Sequence, residues 1–231
     1  MKKIRAFTLI EMLVVMALAA LLTALAVPAF RALTTGSAVG ETSSILKNSL
    51  DVAQSRAAGH REYVAAVFDY RAERIDADSM QAVRLAKITV SYDNNGTAKK
   101  YTFDKWLPDS AWQVFKYGAA LLCAYEDEHA KPVKSGASIP SKPGDLAKLD
   151  SVWKGEVSGD GTFTGYGVIF APYGNVYQPS KSIVFTVGEA KIAGGKFIFE
   201  DTDSDGMPAN IMKLSVNQFT GRTEVLSSEG E

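Results

Sequence analysis

The stretch Ala6-Phe7-Thr8-Leu9-Ile10-Glu11-Met12-Leu13-Val14-Val15 decides how the rest of the chain is read. Lys2, Lys3 and Arg5 stand before it, and Met12 to Phe30 runs nineteen residues without a charge. At ~1.5 Å per helical residue that run rises about 28 Å, close to the ~30 Å hydrocarbon core of a bilayer. The basic flank favours the cytoplasmic side and places the remaining chain on the other. An ordinary secretory signal peptide explains part of the pattern, with Ala24-Leu25-Ala26 as its cleavage signal. Glu11 argues against that reading, because a carboxylate in an apolar segment costs a few kcal/mol unless paired. A cut between Ala6 and Phe7 would supply a partner. The new amine of Phe7 would lie one helical turn from Glu11 and could pair with a carboxylate on the same or a neighbouring helix.

These residues resemble the processing site of type IV prepilins and pseudopilins. The resemblance implies cleavage between Ala6 and Phe7 by a prepilin peptidase, followed by N-methylation of Phe7. Ala6 departs from the glycine usual before the cut. Glu11 matches the family acid that aids subunit docking, and Pro28 falls where members carry a helix-distorting proline. The partners implied are the peptidase, other pilin or pseudopilin subunits and an inner-membrane assembly platform. The implied location is a single pass through a bacterial inner membrane, N-terminus cytoplasmic and head periplasmic, with a filament as the assembled state. No activity of the chain's own is implied.

Beyond Phe30 the pattern stays helical. Leu46, Leu50, Ala53 and Ala57 keep i, i+4, i+7 and i+11 spacing, with Ser49, Asp51, Gln54 and Arg56 on the other side. The spacing predicts a helix over 7–58 stopped by Gly59 and weakened by Pro28, Gly36 and Gly40. Gly36 and Gly40 have the GxxxG spacing of close helix contacts, but a loosened stretch is the simpler reading. Short strands follow at Tyr63–Phe68, Lys87–Tyr92, Lys100–Phe103, Gly167–Ala171, Ile183–Val187, Lys196–Glu200, Met212–Val216 and Thr223–Leu226. Asn95-Gly96 and Gly194-Gly195 mark turns, and residues 129–166 read as a long loop or a poorly regular insertion. The expected class is α+β: a long N-terminal helix, half transmembrane and half amphipathic, packed on an antiparallel head. Its parts are a leader 1–6, an assembly helix 7–30, an amphipathic continuation 31–59 and a head 60–231.

Within the head, Ala53–Ala58 followed by Tyr63–Phe68, Trp106-Leu107-Pro108, Val168–Gly174 and Val216–Arg222 resemble segments of H-type minor pseudopilins of type II secretion and T-type fimbrial minor pilins. Some T-type minor pilins capture DNA, which needs basic residues against phosphates. Here the chain has 25 Lys+Arg against 26 Asp+Glu and ends Ser-Ser-Glu-Gly-Glu, so nucleic acid is a poor fit. Removing residues 1–6 takes away three basic residues and deepens the acidity. A secreted β-domain behind a conventional signal peptide is the competing class.

The sharpest chemical feature of the head is Asp201-Thr202-Asp203-Ser204-Asp205-Gly206. Alternate carboxylates before a glycine open calcium loops, because one turn can aim three hard oxygens at one cation. An EF-hand would need Glu where Met212 stands, so only a shorter calcium loop at Asp201, Asp203 and Asp205 is left, against a solvated acidic turn. Cofactor chemistry is otherwise unmarked. One cysteine, Cys123, excludes an intramolecular disulfide and reads as a buried inert thiol. His60 reads as exposed at the helix end and His129 as part of a charged run. Trp106, Trp112 and Trp153 read as core packing before any binding surface.

Overall fold

The computed structural model describes residues 9–69, 81–92, 94, 98–108, 110–126, 134–138, 147–148, 166–177, 181–199, 202–204 and 206–226. The chain divides into two units, Met1–Ser37 and Ala38–Glu231, and one helix, α1 (Leu9–His60), contributes to both. The helix runs without interruption through Pro28, Gly36 and Gly40, so the loosened stretch expected there is absent.

In the larger unit the periodicity of α1 is realised. Leu46, Leu50, Ala53 and Ala57 are fully buried, and Val39, Thr42 and Ser43 extend the stripe toward the N-terminus. Ser49, placed on the polar side by the spacing argument, is buried too, because it neighbours Leu50 at the edge of a stripe wider than an i, i+4 row. The left-handed residue that ends the helix is Arg61 (φ 51°), not Gly59. The Glu62 N–H then donates to Ala57 O at 3.2 Å, the six-to-one bond that closes a helix C-terminus. Glu62 also pairs with Lys87 at 2.8 Å, which ties the residue after the turn to the strand holding Lys87.

Twelve strands are described. They are β1 (Tyr63–Asp69), β2 (Ala82–Tyr92), β3 (Ala98–Trp106), β4 (Gln113–Val114), β5 (Ala119–Tyr125), β6 (Ala147–Lys148), β7 (Tyr166–Phe170), β8 (Ile183–Glu189), β9 (Lys191–Ala193), β10 (Lys196–Ile198), β11 (Ile211–Val216) and β12 (Thr223–Leu226). They form a first sheet in the order β3-β2-β1-β7-β6 with β4 also on β2, a second in the order β12-β11-β8-β5, and the hairpin β9-β10. Every pairing is antiparallel. Both sheets pack on the helix through one core, in keeping with the expected α+β class. The strand β5 escaped the sequence reading because Ala-Ala-Leu-Leu-Cys-Ala shows no alternation, as befits a strand buried on both faces. Residues 129–166 are not wholly a loop, since β6 pairs with β7 and Ser138 bridges to Lys196. The Asn95-Gly96 turn lies outside the described residues, whereas Gly194 and Gly195 both take positive φ between β9 and β10.

The main core joins the α1 stripe to inward residues of both sheets, among them Phe68, Phe170, Phe185 and Leu214. On the other face of the first sheet Ala65, Val67, Ala86, Ile88 and Ile169 make a second cluster flanked by Tyr63, Phe103, Trp106, Trp112 and Tyr177. Strand β1 is therefore apolar on both sides.

One buried amide ties the two sheets together. Gln81, immediately before β2, donates from Nε2 to Leu121 O at 3.2 Å and accepts from Leu121 N–H through Oε1 at 2.6 Å. Its own carbonyl accepts from Phe115 N–H at 2.8 Å. The side chain thus stands in for a strand along the free edge of β5, which ends the second sheet. Replacing it by Leu keeps the volume but orphans both backbone groups of Leu121, at about 1–3 kcal/mol each. Gln81→Leu should therefore lower the unfolding free energy of an Ala38–Glu231 fragment by on the order of 2–5 kcal/mol in urea titration. A loss under about 0.5 kcal/mol would show that the edge of β5 is satisfied in another way.

Candidate functional site

The unit holding the start of α1 presents an unusual surface. Leu9, Leu13 and Met16 lie along one side of the helix at 100° per residue, Ile10, Val14 and Leu21 along a second, and Val15, Leu18 and Leu22 along a third. All nine are more than half exposed. A helix apolar on every side belongs in a protein interior or a bilayer, since removing each such side chain from water gains about 1.5–3 kcal/mol. Glu11 interrupts the third side in the first helical turn, where the helix dipole favours a carboxylate. Among the described residues no helix is long and apolar enough to cross a membrane; before Ser37, side chains are described without a break over 9–24. Ala6 and Phe7 lie outside the described residues, and Pro28 is described in its backbone alone.

The head brings together two segments that the sequence had set far apart. The turn after β7 and the turn between β11 and β12 meet where Val176 N–H donates to Gln218 O at 3.1 Å. Gln54 of α1 donates to Thr220 O at 3.2 Å, locking the second turn to the helix. Gly221 (φ 66°) sits so close that a Cβ would fall 2.0 Å from Gly174 O, which is why glycine stands there. Asn217 Oδ1 accepts from Phe219 and Thr220 N–H at 2.9 and 3.0 Å and holds the turn from within. These are the paired strand-turn segments at 168–174 and 216–222, and their roles here are structural.

Asp201 and Asp205 lie outside the described residues, so Asp203 alone of the acidic trio can be placed. Its Oδ1 accepts from Met207 N–H at 2.9 Å, while its own N–H donates to Met207 O at 2.9 Å. Among the described residues no group of acidic, histidine or cysteine side chains is arranged to hold a metal. His60 is exposed at the end of α1, while His129 and Trp153 are outside the described residues. Trp106 and Trp112 are half-buried against the second cluster, so packing explains only part of their surface. The Tyr63 and Tyr92 hydroxyls share a hydrogen bond, and burial together with that bond pushes Tyr63 up to about 12.

Cys123 is buried and its thiol is pushed up by burial, an effect that Thr186 and Lys213 only partly offset. A thiol both shielded and protonated is a poor nucleophile. In the folded chain Cys123 should resist an aromatic disulfide reagent at pH 8, with full reaction appearing only in denaturant. Rapid labelling under native conditions would contradict the buried placement of β5.

Comparison with known families places the prokaryotic N-terminal methylation motif on residues 1–27, a span containing Ala6, Phe7 and Glu11. Neither a curated protein nor a solved structure matches the chain. The chain is thus prepilin-like at its N-terminus, and its α+β architecture agrees with a pilin-like fold.

Proposed function

We propose that this chain is a minor pilin or pseudopilin, a structural subunit that is processed and assembled and has no catalytic role. A prepilin peptidase cuts between Ala6 and Phe7, Phe7 is methylated, and α1 then packs with the helices of other subunits. The observation that carries this reading is a coincidence on one segment. The methylation motif covers residues 1–27, and the helix beginning there exposes apolar side chains on every side.

The physical logic is a transfer between two apolar surroundings. Before assembly the helix holds the subunit in the inner membrane with its head on the outer side. During assembly, an inner-membrane platform delivers it to a filament in which neighbouring helices replace lipid. Lipid and protein are similarly apolar, so packing gains little from hydrophobic burial and depends on shape and polar pairing. Glu11 is the acid available for that pairing, with the Phe7 amine of its own or an adjacent subunit. The larger unit fits a head presented to solvent, because its apolar stripe is covered by its own strands. The resemblance of the head segments favours a type II secretion pseudopilus or a type IV pilus as the filament.

Intact-mass and N-terminal analysis of the mature protein tests the processing step. A chain starting at Phe7 with one added methyl group is expected, whereas a start at Val27 would establish an ordinary signal peptide and remove the assembly reading. The pairing role has its own test. Glu11→Ala should leave the membrane-bound pool unchanged and sharply reduce the amount recovered in sheared filaments; equal recovery with wild type would end that role.

A further inference from the structure

A groove of about 1010 Å³ on the head takes no part in the assembly reading. Phe103 and Trp106, from the end of β3, form one wall, and Trp112, just before β4, forms another. The Trp106 ring stands edge-on to Phe103 at 5.0 Å and to Trp112 at 5.4 Å, and all three rings are half-buried. Arg84 of β2 lays its guanidinium 4.4 Å from the centre of the Trp106 ring, and its Nε donates to Ser110 O at 2.7 Å.

That arrangement fixes the fork of the guanidinium. It sits over an indole and is anchored through Nε, while among the described residues its Nη groups donate to no protein oxygen. Partial burial pulls Arg84 down from its ordinary value, yet arginine starts so high that it stays charged. Among the described lining residues, Lys105 adds a second cation at the exposed rim and Asp104 an acid. A fixed guanidinium matches a carboxylate through two parallel N–H···O bonds, and aromatic walls accept an apolar side chain beside it.

We propose that this groove binds an acidic, extended peptide segment of a partner protein, seating a carboxylate on Arg84 and an adjacent apolar side chain against Trp112 and Phe103. Two observations favour a peptide over an acidic sugar. Among the described strands β3 ends the first sheet, and a strand at a sheet edge offers backbone groups to an extended chain. Sugar hydroxyls need several polar side chains, and the hydroxyl of Ser110 is already engaged with the N–H and C=O of Leu85 at 3.0 and 3.2 Å. The inference stands apart from the use made of the N-terminal helix.

Selection of a random linear dodecapeptide library against the purified full chain in detergent tests it, followed by fluorescence anisotropy on the enriched peptides. The expected winners carry Asp or Glu beside an aromatic or aliphatic residue and lose at least about tenfold in affinity when their acids become amides. Arg84→Gln should cause a similar loss, and Lys105→Gln, at an exposed position, a smaller one that added salt abolishes. Unchanged binding by Arg84→Gln, winners without acids, or no enrichment at all would overturn the proposal. So would oligogalacturonate displacing the winners at lower concentration than the free peptides do, which would assign the groove to acidic sugars.

Discussion

The apolar stripe along the second half of α1 is the constraint on which the head depends. Val39, Leu46, Leu50, Ala53 and Ala57 face a core to which both sheets contribute, from Phe68 and Phe170 on one side to Phe185 and Leu214 on the other. Antiparallel sheets joined by short turns need one face covered, and here a single helix covers two. The Val176 N–H bond to Gln218 O links the two sheets at one point, and the Gln81 amide on the edge of β5 links them at another. It satisfies exposed strand-edge groups with a side chain, where another strand would have extended the sheet.

Both halves of α1 carry apolar side chains, and these meet opposite fates. Beyond Ala38 the apolar stripe of Val39, Leu46, Leu50, Ala53 and Ala57 is absorbed by the chain's own strands and supplies stability to the head. From Leu9 to Leu22 the apolar side chains are left exposed to whatever surrounds the helix. A surface already buried within a fold cannot serve assembly, and a surface left apolar on all sides has no stable place in water. Apolar surface used in folding and apolar surface left uncovered are thus separated along one helix.

Polar groups do the finer positioning. Glu62 closes the helix through its N–H and reaches Lys87 of β2 with its carboxylate, so the exit from α1 is fixed to the strand beside β1. The Lys87 ammonium is held above its ordinary value mainly by the hydrogen bond to Glu62. At the far end of the sheets, Gln54 and the glycines of two turns set how closely those turns approach the helix.

By itself the sequence determined the N-terminal motif, the α+β class and the buried positions 46, 50, 53 and 57, because each is written in local spacing or in a short, specific string. Eight strands were legible for the same reason, though β2 begins five residues before Lys87 and β3 reaches Trp106. Only tertiary structure decided the rest. The uniform burial of β5 erased its alternation, and β4 and β6 are too short to carry a period. Arg61 took the left-handed turn that Gly59 was expected to make, because the position is set by where the chain must enter β1. The groove around Arg84 joins residues from β2, β3 and the segment before β4. No local pattern could bring them together, since pairing between strands, and not spacing along one, creates that surface.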